Sequence, residues 1–147
     1  MLKQLALPEP SEVPPVDQTF GPAIYAYTRA QAIDDGVLVD VSEIAKEAGI
    51  KLPVAITDAL HSRLTPTKAD QGLGQDYEGR LWDVLWLAAF TIKLADPGTD
   101  NVTFTAALQE AEAKSGRPQN IDLRLRAVCG PDDEGEPVIT IGFPEDF

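Results

Sequence analysis

The feature that most constrains the fold of this chain is one long apolar segment near its middle. Residues 78–95 read EGRLWDVLWLAAFTIKLA, and the apolar side chains of residues 81–94 fall on nearly every side of a helix. Because a helix of this kind must be covered on most sides, we predict a central helix that organises the core. A membrane-spanning helix is excluded, since only nine residues separate Asp83 from Lys93 and a bilayer requires about 20.

Two tryptophans, Trp82 and Trp86, lie four residues apart in this segment and therefore on one side of the helix. Such a pair suits a partner-binding stripe or a stacking platform, but the apolar surroundings favour packing within the core. We therefore predict that both rings are buried.

Apolar and polar residues alternate through the last third of the chain, which is the period of half-buried strands. The alternation covers residues 102–108, 121–128 and 138–143. Residues 106–114 also have high helix propensity, which leaves helix as the alternative there. Turns are expected at Gly116 and across residues 130–137, so we predict a three-stranded antiparallel meander.

The first half of the chain alternates between strand-like and helix-like segments. Strands are expected at residues 24–27, 37–41 and 50–56, and short helices at residues 29–35, 42–48 and 57–64, with Thr28 and Ser42 as caps. Residues 65–77 have the composition of a loop. The predicted fold class is α+β, an antiparallel sheet whose C-terminal three-stranded meander packs on a central Trp-rich helix, with small helices in the N-terminal half.

Residues 1–22 contain five prolines and are predicted to form an extended arm, because proline fixes φ and removes a backbone donor. A single α+β domain is then expected to span residues 23–147. The apolar residues of the arm suit either the surface of this domain or a neighbouring chain, and the second alternative would make the protein a homo-oligomer.

Acidic residues outnumber basic residues, 24 against 12, and the formal net charge is -12. This charge repels nucleic acid backbones and anionic membranes, so direct binding to either is not expected. One cysteine and one histidine exclude an internal disulfide and a zinc site built from thiolate or imidazole ligands. No secretory segment is recognisable, and we expect a cytoplasmic protein without a metal or cofactor.

The densest cluster of charge is the predicted turn at residues 130–137. It contains the four acids Asp132, Asp133, Glu134 and Glu136. The calcium-loop pattern is absent, and the simplest interpretation is a solvated hairpin tip. The functional interpretation is an anionic face complementary to a basic groove on a protein partner.

The predicted junction between the first strand and the first helix carries three candidate anchors for such a partner. They are Tyr25, Tyr27 and Arg29. A simpler explanation of the same residues is that one tyrosine lies in the core and that Arg29 pairs with Asp34 or Asp35.

Three blocks of the sequence stand out, IYAYTRAQAIDDGVLVDV at residues 24–41, LWDVLW at residues 81–86 and AVCGPDDEGEPVITI at residues 127–141, and the first and last of them are specific strings. Together they resemble a family of small uncharacterised proteins found in bacteria and on their plasmids and phages. The resemblance implies a setting, because genes on mobile elements often encode accessory or anti-defence proteins that occupy the surface of a host machine. We therefore expect a non-enzymatic acidic accessory protein that binds a basic protein.

The string YAYTR at residues 25–29, followed by IDDG, is similar to the opening of ADP-ribosyltransferase folds. This similarity implies that Tyr27, Thr28 and Arg29 hold NAD, and that a late acid such as Glu136 stabilises the ribosyl cation. An NAD-binding protein of ADP-ribosyltransferase type is therefore the alternative to the binding protein.

Overall fold

Five strands form one sheet in this computed structural model, which describes residues 28–147. They are β1 (Leu38–Asp40), β2 (Val54–Thr57), β3 (Asn101–Ala111), β4 (Pro118–Pro131) and β5 (Pro137–Gly142). The arm predicted at residues 1–22, the strand predicted at residues 24–27, and the candidate anchors Tyr25 and Tyr27 lie outside the described residues. The strand order is β1-β2-β5-β4-β3, with β2 and β5 parallel and the other neighbours antiparallel.

Five helices precede β3 in the described part of the chain. They are α1 (Arg29–Asp34), α2 (Ser42–Glu47), α3 (Asp58–Leu64), α4 (Lys68–Gly72) and α5 (Tyr77–Leu94). The α+β prediction is confirmed, and α5 occupies the long apolar segment as expected. Asp76 starts α5 by accepting a hydrogen bond from the Gly79 amide at 2.6 Å. Within residues 28–147, no helix combines the length and the apolar character needed to cross a bilayer.

The core lies between one face of the sheet and the helices α2, α3 and α5. Leu60 of α3, Leu85 of α5, Leu125 of β4 and Ile141 of β5 are completely buried there. Because side chains alternate along a strand, Thr140 points from β5 to the opposite face, which we call the outer face. Helix α1 reaches this outer face through Arg29, which contacts Thr140.

The C-terminal meander is confirmed. Strand β4 pairs antiparallel with both β3 and β5, and the side chains at Leu123 and Leu125 are buried while those at Asp122 and Arg124 are exposed. Helix was the alternative for residues 106–114, and it is wrong because β3 continues to Ala111. Pairing with β4 along its whole length supplies backbone partners that outweigh the local helix propensity.

A short helix replaces part of the loop predicted at residues 65–77. The Thr67 hydroxyl oxygen accepts a hydrogen bond from the Asp70 amide (3.1 Å), and the Asp70 carboxylate accepts one from the Thr67 amide (3.0 Å). This reciprocal cap stabilises α4, although Gly72 ends it after five residues. The sequence signal was present in the spacing of Thr67 and Asp70.

The prediction that Trp82 and Trp86 are buried is wrong. Their residues are 39% and 45% exposed, and Phe90, one turn further along α5, is 49% exposed. The side of α5 that packs into the core instead carries Leu81, Leu85 and other residues of small or branched shape. When apolar residues lie on every side of a helix, the sequence does not indicate which side faces the sheet. The orientation of α5 was predicted wrongly for this reason.

A buried ion pair between Arg80 and Asp70 covers one end of β3, which is an edge strand of the sheet. The Arg80 Nη2 atom lies 3.3 Å from an Asp70 oxygen and donates a hydrogen bond to the Gln109 carbonyl at 2.6 Å. The other Asp70 oxygen accepts a hydrogen bond from the Ala111 amide at 2.7 Å. Backbone groups at this edge therefore find side-chain partners from α4 and α5 in place of another strand.

Candidate functional site

The first helix is capped twice, once by its own residues and once by the acidic turn. The Thr28 hydroxyl oxygen accepts a hydrogen bond from the Gln31 amide (3.0 Å), and the Gln31 side chain accepts one from the Thr28 amide (2.9 Å). Asp133 accepts two further bonds, from the amides of Arg29 (2.9 Å) and Ala30 (3.1 Å). The turn between β4 and β5 therefore fixes the N-terminus of α1 across 104 residues of sequence.

Asp132 orders the same turn from within. Its Oδ1 atom accepts hydrogen bonds from the amides of Glu134 (2.8 Å) and Glu136 (2.9 Å), and Gly135 has the positive φ of 84° that the turn requires. The residues Glu134 and Glu136 themselves are exposed. Two of the predicted partner-binding acids are thus engaged in internal hydrogen bonds, and the other two face solvent.

The guanidinium group of Arg29 lies on the outer face of the sheet against β5. It donates hydrogen bonds to the Thr140 hydroxyl (2.6 Å) and to the Ile139 carbonyl (3.0 Å). Both partners are neutral, and the guanidinium forms no ion pair with Asp34, one of the two aspartates that the sequence suggested. Burial lowers the pKa of Arg29 from its ordinary value, and the surrounding carboxylates act in the opposite direction.

A cavity of 450 Å³ opens beside Arg29 on the outer face. Thr140 and Asp58 contribute polar groups to its wall, and Asp146 and Phe147 also line it. A volume of this size lies in the range of small-molecule sites in proteins.

A second cavity, of 260 Å³, is also lined by Arg29. We call it the acidic cleft, because four carboxylates line it, those of Asp40, Asp132, Asp133 and Glu134. Among its lining residues, Arg29 is the sole cation. The structure therefore brings Arg29 together with three of the four predicted acids, whereas Glu136 lies outside this lining.

Ser42 and Asp40 line the acidic cleft on the side of β1. The Ser42 hydroxyl donates a hydrogen bond to Asp40 (2.6 Å), and its oxygen accepts one from the Val54 amide (3.0 Å). Ser42 does not serve as the N-cap predicted for it, because the N-cap position of α2 is held by Val41 without a side-chain bond. Its hydroxyl instead links β1 to β2.

Other side chains of types that can act in catalysis make contacts within the fold. The only histidine, His61, has its Nδ1 atom 2.7 Å from the Tyr77 hydroxyl, and the two rings meet edge to face. Burial raises the pKa of Tyr77 above its ordinary value. Within residues 28–147, no three His, Cys, Asp or Glu side chains converge in an arrangement that could hold a metal ion.

Sequence reasoning missed Thr140, the main partner of the Arg29 side chain. The two residues are 111 positions apart, and no local pattern marks a threonine on an outward-facing strand position as the partner of an arginine. The role of Asp133 as a cap for α1 was missed for the same reason, although aspartate is a preferred cap residue.

Comparison with known proteins identifies the family of this chain. No curated protein and no solved structure matches the chain significantly. A family model, described as a family of unknown function, matches residues 19–147, which include all of the described fold and both cavities beside Arg29. The chain therefore belongs to the family of unknown function DUF6573.

Proposed function

We propose that this protein is a non-enzymatic binding protein whose acidic cleft and hairpin tip engage a basic segment of a protein partner. The observation that carries this proposal is the convergence of four carboxylates around one half-buried arginine in the acidic cleft. The arginine is already bonded to Thr140 and the Ile139 carbonyl, so the carboxylates keep an excess of negative charge.

The size and the charge of the cleft both suit a basic side chain. A volume of 260 Å³ admits one or two side chains and is small for a cofactor. Exposed Glu134 and Glu136 extend the negative surface beyond the cleft to the hairpin tip. Complementary charge accelerates encounter with a basic partner and orients it, and the effect weakens as salt rises.

The biological setting that we propose is an accessory protein of a mobile genetic element in the bacterial cytoplasm. The resemblance of this chain to proteins on plasmids and phages supports this setting. The activity that we propose for it there is anti-defence inhibition. An inhibitor that works by occupying a surface needs no catalytic group. Its negative surface would compete for a basic groove on a host machine.

Charge reversal at the hairpin tip tests the proposal. We compare the wild-type chain with the variant Glu134→Lys/Glu136→Lys in affinity purification from the native host, followed by mass spectrometry. Asp132 and Asp133 are left intact because they hold the turn and α1 in place. The control variant Asp96→Lys/Asp122→Lys makes the same change of net charge at two exposed acids elsewhere in the chain.

We expect the wild type and the control to capture a shared basic protein at low salt, and the tip variant to lose it. Binding of the purified partner should weaken steeply between 0.05 and 0.5 M salt, because screening shortens the reach of the charges to a few ångströms. A partner that binds the tip variant as tightly as the wild type would contradict the proposal.

The cavity of 450 Å³ beside Arg29 favours a second candidate function, the binding of NAD by a protein of ADP-ribosyltransferase type. Arg29 would then contact the phosphates of the ligand. A thermal shift on addition of NAD, and transfer of label from NAD to proteins of a host lysate, are the expected results. Absence of both effects would exclude this alternative.

A further inference from the structure

The sheet has two edge strands, and they differ in length. Strand β1 has three residues, whereas β3 has eleven. Proteins usually protect a long edge strand with charged residues, prolines, bulges or a covering element, because its unpaired backbone groups can bind another strand. Strand β3 keeps one register with β4 throughout, and its residues 101–109 include neither a charged residue nor a proline. The edge of β3 therefore lacks most of the usual protection.

Backbone groups of the odd-numbered residues of β3 point away from β4. The Gln109 carbonyl is bonded to Arg80 of α5, and the Ala111 amide is bonded to a side chain of α4. Because backbone groups alternate in direction along an antiparallel ladder, the odd-numbered residues before Gln109 face the same edge. We call these residues the open edge, and they are Asn101, Thr103, Thr105 and Ala107. Within residues 28–147, their backbone groups at this edge form no hydrogen bond.

One side of helix α5 runs along the open edge. Arg80, near the start of α5, bonds to the Gln109 carbonyl, and Ile92, near its end, lines a small cavity together with Val102. The helix therefore lies over β3 and runs in the opposite direction. Residues that follow Arg80 at intervals of three and four share its side of the helix. They are Asp83, Leu87, Phe90 and Leu94.

We call the space between this side of α5 and the open edge the notch, and its two ends differ in character. The end near Arg80 is polar, because Asp83 and Gln75 line a cavity of 240 Å³ there. The other end is apolar, since Phe90 is 49% exposed and Leu94 is 71% exposed. Unpaired strand groups beside pockets for alternate side chains are what sites of strand addition offer to an extended peptide.

We propose that the open edge binds an extended segment of a partner protein, which adds a sixth strand to the sheet. The backbone of the segment would exchange hydrogen bonds with the residues of the open edge. Alternate side chains would enter the notch, and the others would lie on the outer face beside Thr103 and Thr105. Residues 101–107 span about 20 Å, so seven residues of the segment fill the edge.

A single strand fits the open edge better than a second copy of this chain does. An antiparallel pair of β3 strands would place both α5 helices on the same side of the joined sheet, each above its own β3. Neighbouring strands lie about 4.8 Å apart, whereas packed helices need about 8–10 Å. The two α5 helices would therefore collide, and the partner must be a segment without a helix above it.

The notch determines which side chains the segment should carry. Asp83 forms no ion pair within the part of the chain that the structure describes, so we expect a basic side chain beside it. Apolar side chains are expected at the next two inward positions, against Leu87 and then Leu94. In an antiparallel arrangement, which is the more stable kind of pairing, the basic residue comes first along the segment.

Two capped peptides of the same composition test the proposal. The peptide TKTVTVT carries the expected alternation, and TTKVVTT is its control without alternation. Each is titrated to about 1 mM into the full chain labelled with nitrogen-15, since short segments bind weakly. We expect TKTVTVT to slow the hydrogen exchange of the Thr103 and Thr105 amides at least tenfold, and TTKVVTT to leave it unchanged. Equal effects of the two peptides, or binding without this protection, would overturn the proposal.

A proline in the open edge should block the added strand. Proline is tolerated on an edge strand where the N–H group faces solvent, so Thr105→Pro should keep the fold. It removes a donor to the segment and should weaken binding of TKTVTVT by about tenfold or more. Thr105→Ala keeps the N–H group and is the matched control, with an affinity within about twofold of wild type. Unchanged binding by a folded Thr105→Pro chain would contradict strand addition.

A charge swap tests the notch without altering the strand. Asp83→Lys should weaken TKTVTVT by about threefold and strengthen the peptide TETVTVT by the same factor, which is typical of exposed ion pairs. The control Asp96→Lys makes the same change of net charge at an exposed position outside α5. If Asp83→Lys and Asp96→Lys bind the two peptides alike, the basic residue does not lie beside Asp83 and the proposal fails.

The free chain reveals other occupants of the open edge. Self-association that Thr105→Pro abolishes would assign the edge to a second copy and reject the proposal. Thr103 and Thr105 amides that are already protected in the monomer would assign it to residues 1–27 and reject it too. The variant Glu134→Lys/Glu136→Lys should bind TKTVTVT like the wild type, so failure here and failure of the acidic cleft are separate results.

Discussion

Two arginines, Arg80 and Arg29, lie on opposite faces of the sheet and are held in different ways. Arg80 is 4% exposed and forms an ion pair with Asp70, while its other donors reach the carbonyls of Leu64 and Gln109. Arg29 is half-buried, and the partners of its guanidinium within residues 28–147 are two neutral oxygens of β5, although carboxylates surround it. The charge of Arg80 is therefore matched by partners within the fold, whereas the surroundings of Arg29 can still bind a ligand.

The difference follows from what each arginine stabilises. Arg80 and Asp70 close the edge of β3, so their charges are matched within the fold. Around Arg29, the carboxylates of Asp132 and Asp133 are occupied by backbone amides and form no ion pair with its guanidinium. Negative charge therefore remains available around Arg29, and for this reason we place the candidate function there.

The largest effect is expected from Arg80→Ala. Removal of the arginine leaves the Asp70 carboxylate and the Gln109 carbonyl without a cationic donor in a buried place, and such losses cost about 3–5 kcal/mol. Chemical denaturation measures the free energy of unfolding. A loss below 1 kcal/mol would mean that water replaces Arg80 at the edge of β3, and the contrast between the two arginines would disappear.

The pH dependence of stability should come next in size. The Ala111 amide, followed by the Thr67 groups, lowers the pKa of Asp70 to about 2, although burial acts in the opposite direction. Because the folded pKa lies below the unfolded value near 4, Asp70 stabilises the fold above pH 5 and loses this effect between pH 5 and pH 2. The contribution should not exceed about 2.5 kcal/mol.

The variant Asp70→Asn isolates that contribution. The difference in unfolding free energy between wild type and variant should be largest near pH 6 and should shrink as the pH falls to 2. A difference that stays constant over this range would show that Asp70 has an ordinary pKa.

Arg29→Ala should cost less than Arg80→Ala, about 1–2 kcal/mol, because its two hydrogen bonds end on partly accessible oxygens. Lysine at the same position should recover little, since it cannot bridge Thr140 and the Ile139 carbonyl with a planar fork. Thermal denaturation of Arg29→Ala, Arg29→Lys and wild type measures the effect. Equal losses for Arg29→Ala and Arg80→Ala would remove the distinction drawn here.

The smallest effect is expected from Asp133→Ala, about 1 kcal/mol, which is the usual cost of losing a helix N-cap. Glu134→Ala is its control, because Glu134 neighbours Asp133 in the turn and is exposed like it, but its carboxylate does not accept the α1 amides that Asp133 accepts. That control should change stability by less than about 0.5 kcal/mol. If both variants behave alike, Asp133 does not hold α1 in solution.

The parts of the fold that the sequence predicted are those determined by local periodicity. The alternation through Leu123 and Leu125 indicated a strand, and the length of the apolar segment indicated the helix that became α5. The exposed side of α5 could not be predicted, because apolar residues on every side leave the direction to tertiary packing. Trp82 and Trp86 were misplaced for that reason.

The candidate site was predicted only in part. Arg29 and the acidic turn were identified from their residue types, but their contact was not, because Asp133 and Arg29 are far apart in the sequence. Thr140 carries no distinguishing signal on β5. Long-range polar contacts of this kind depend on strand register, which a single sequence does not determine.

The position of β5 has a consequence for biosynthesis. This strand is the last of the described strands along the sequence, yet it lies in the middle of the sheet, between β2 and β4. A nascent chain that has already released residues 28–131 from the ribosome still lacks the strand that joins its two halves. Completion of the fold, and of the contact between α1 and the acidic turn, must therefore wait until β5 has left the ribosome.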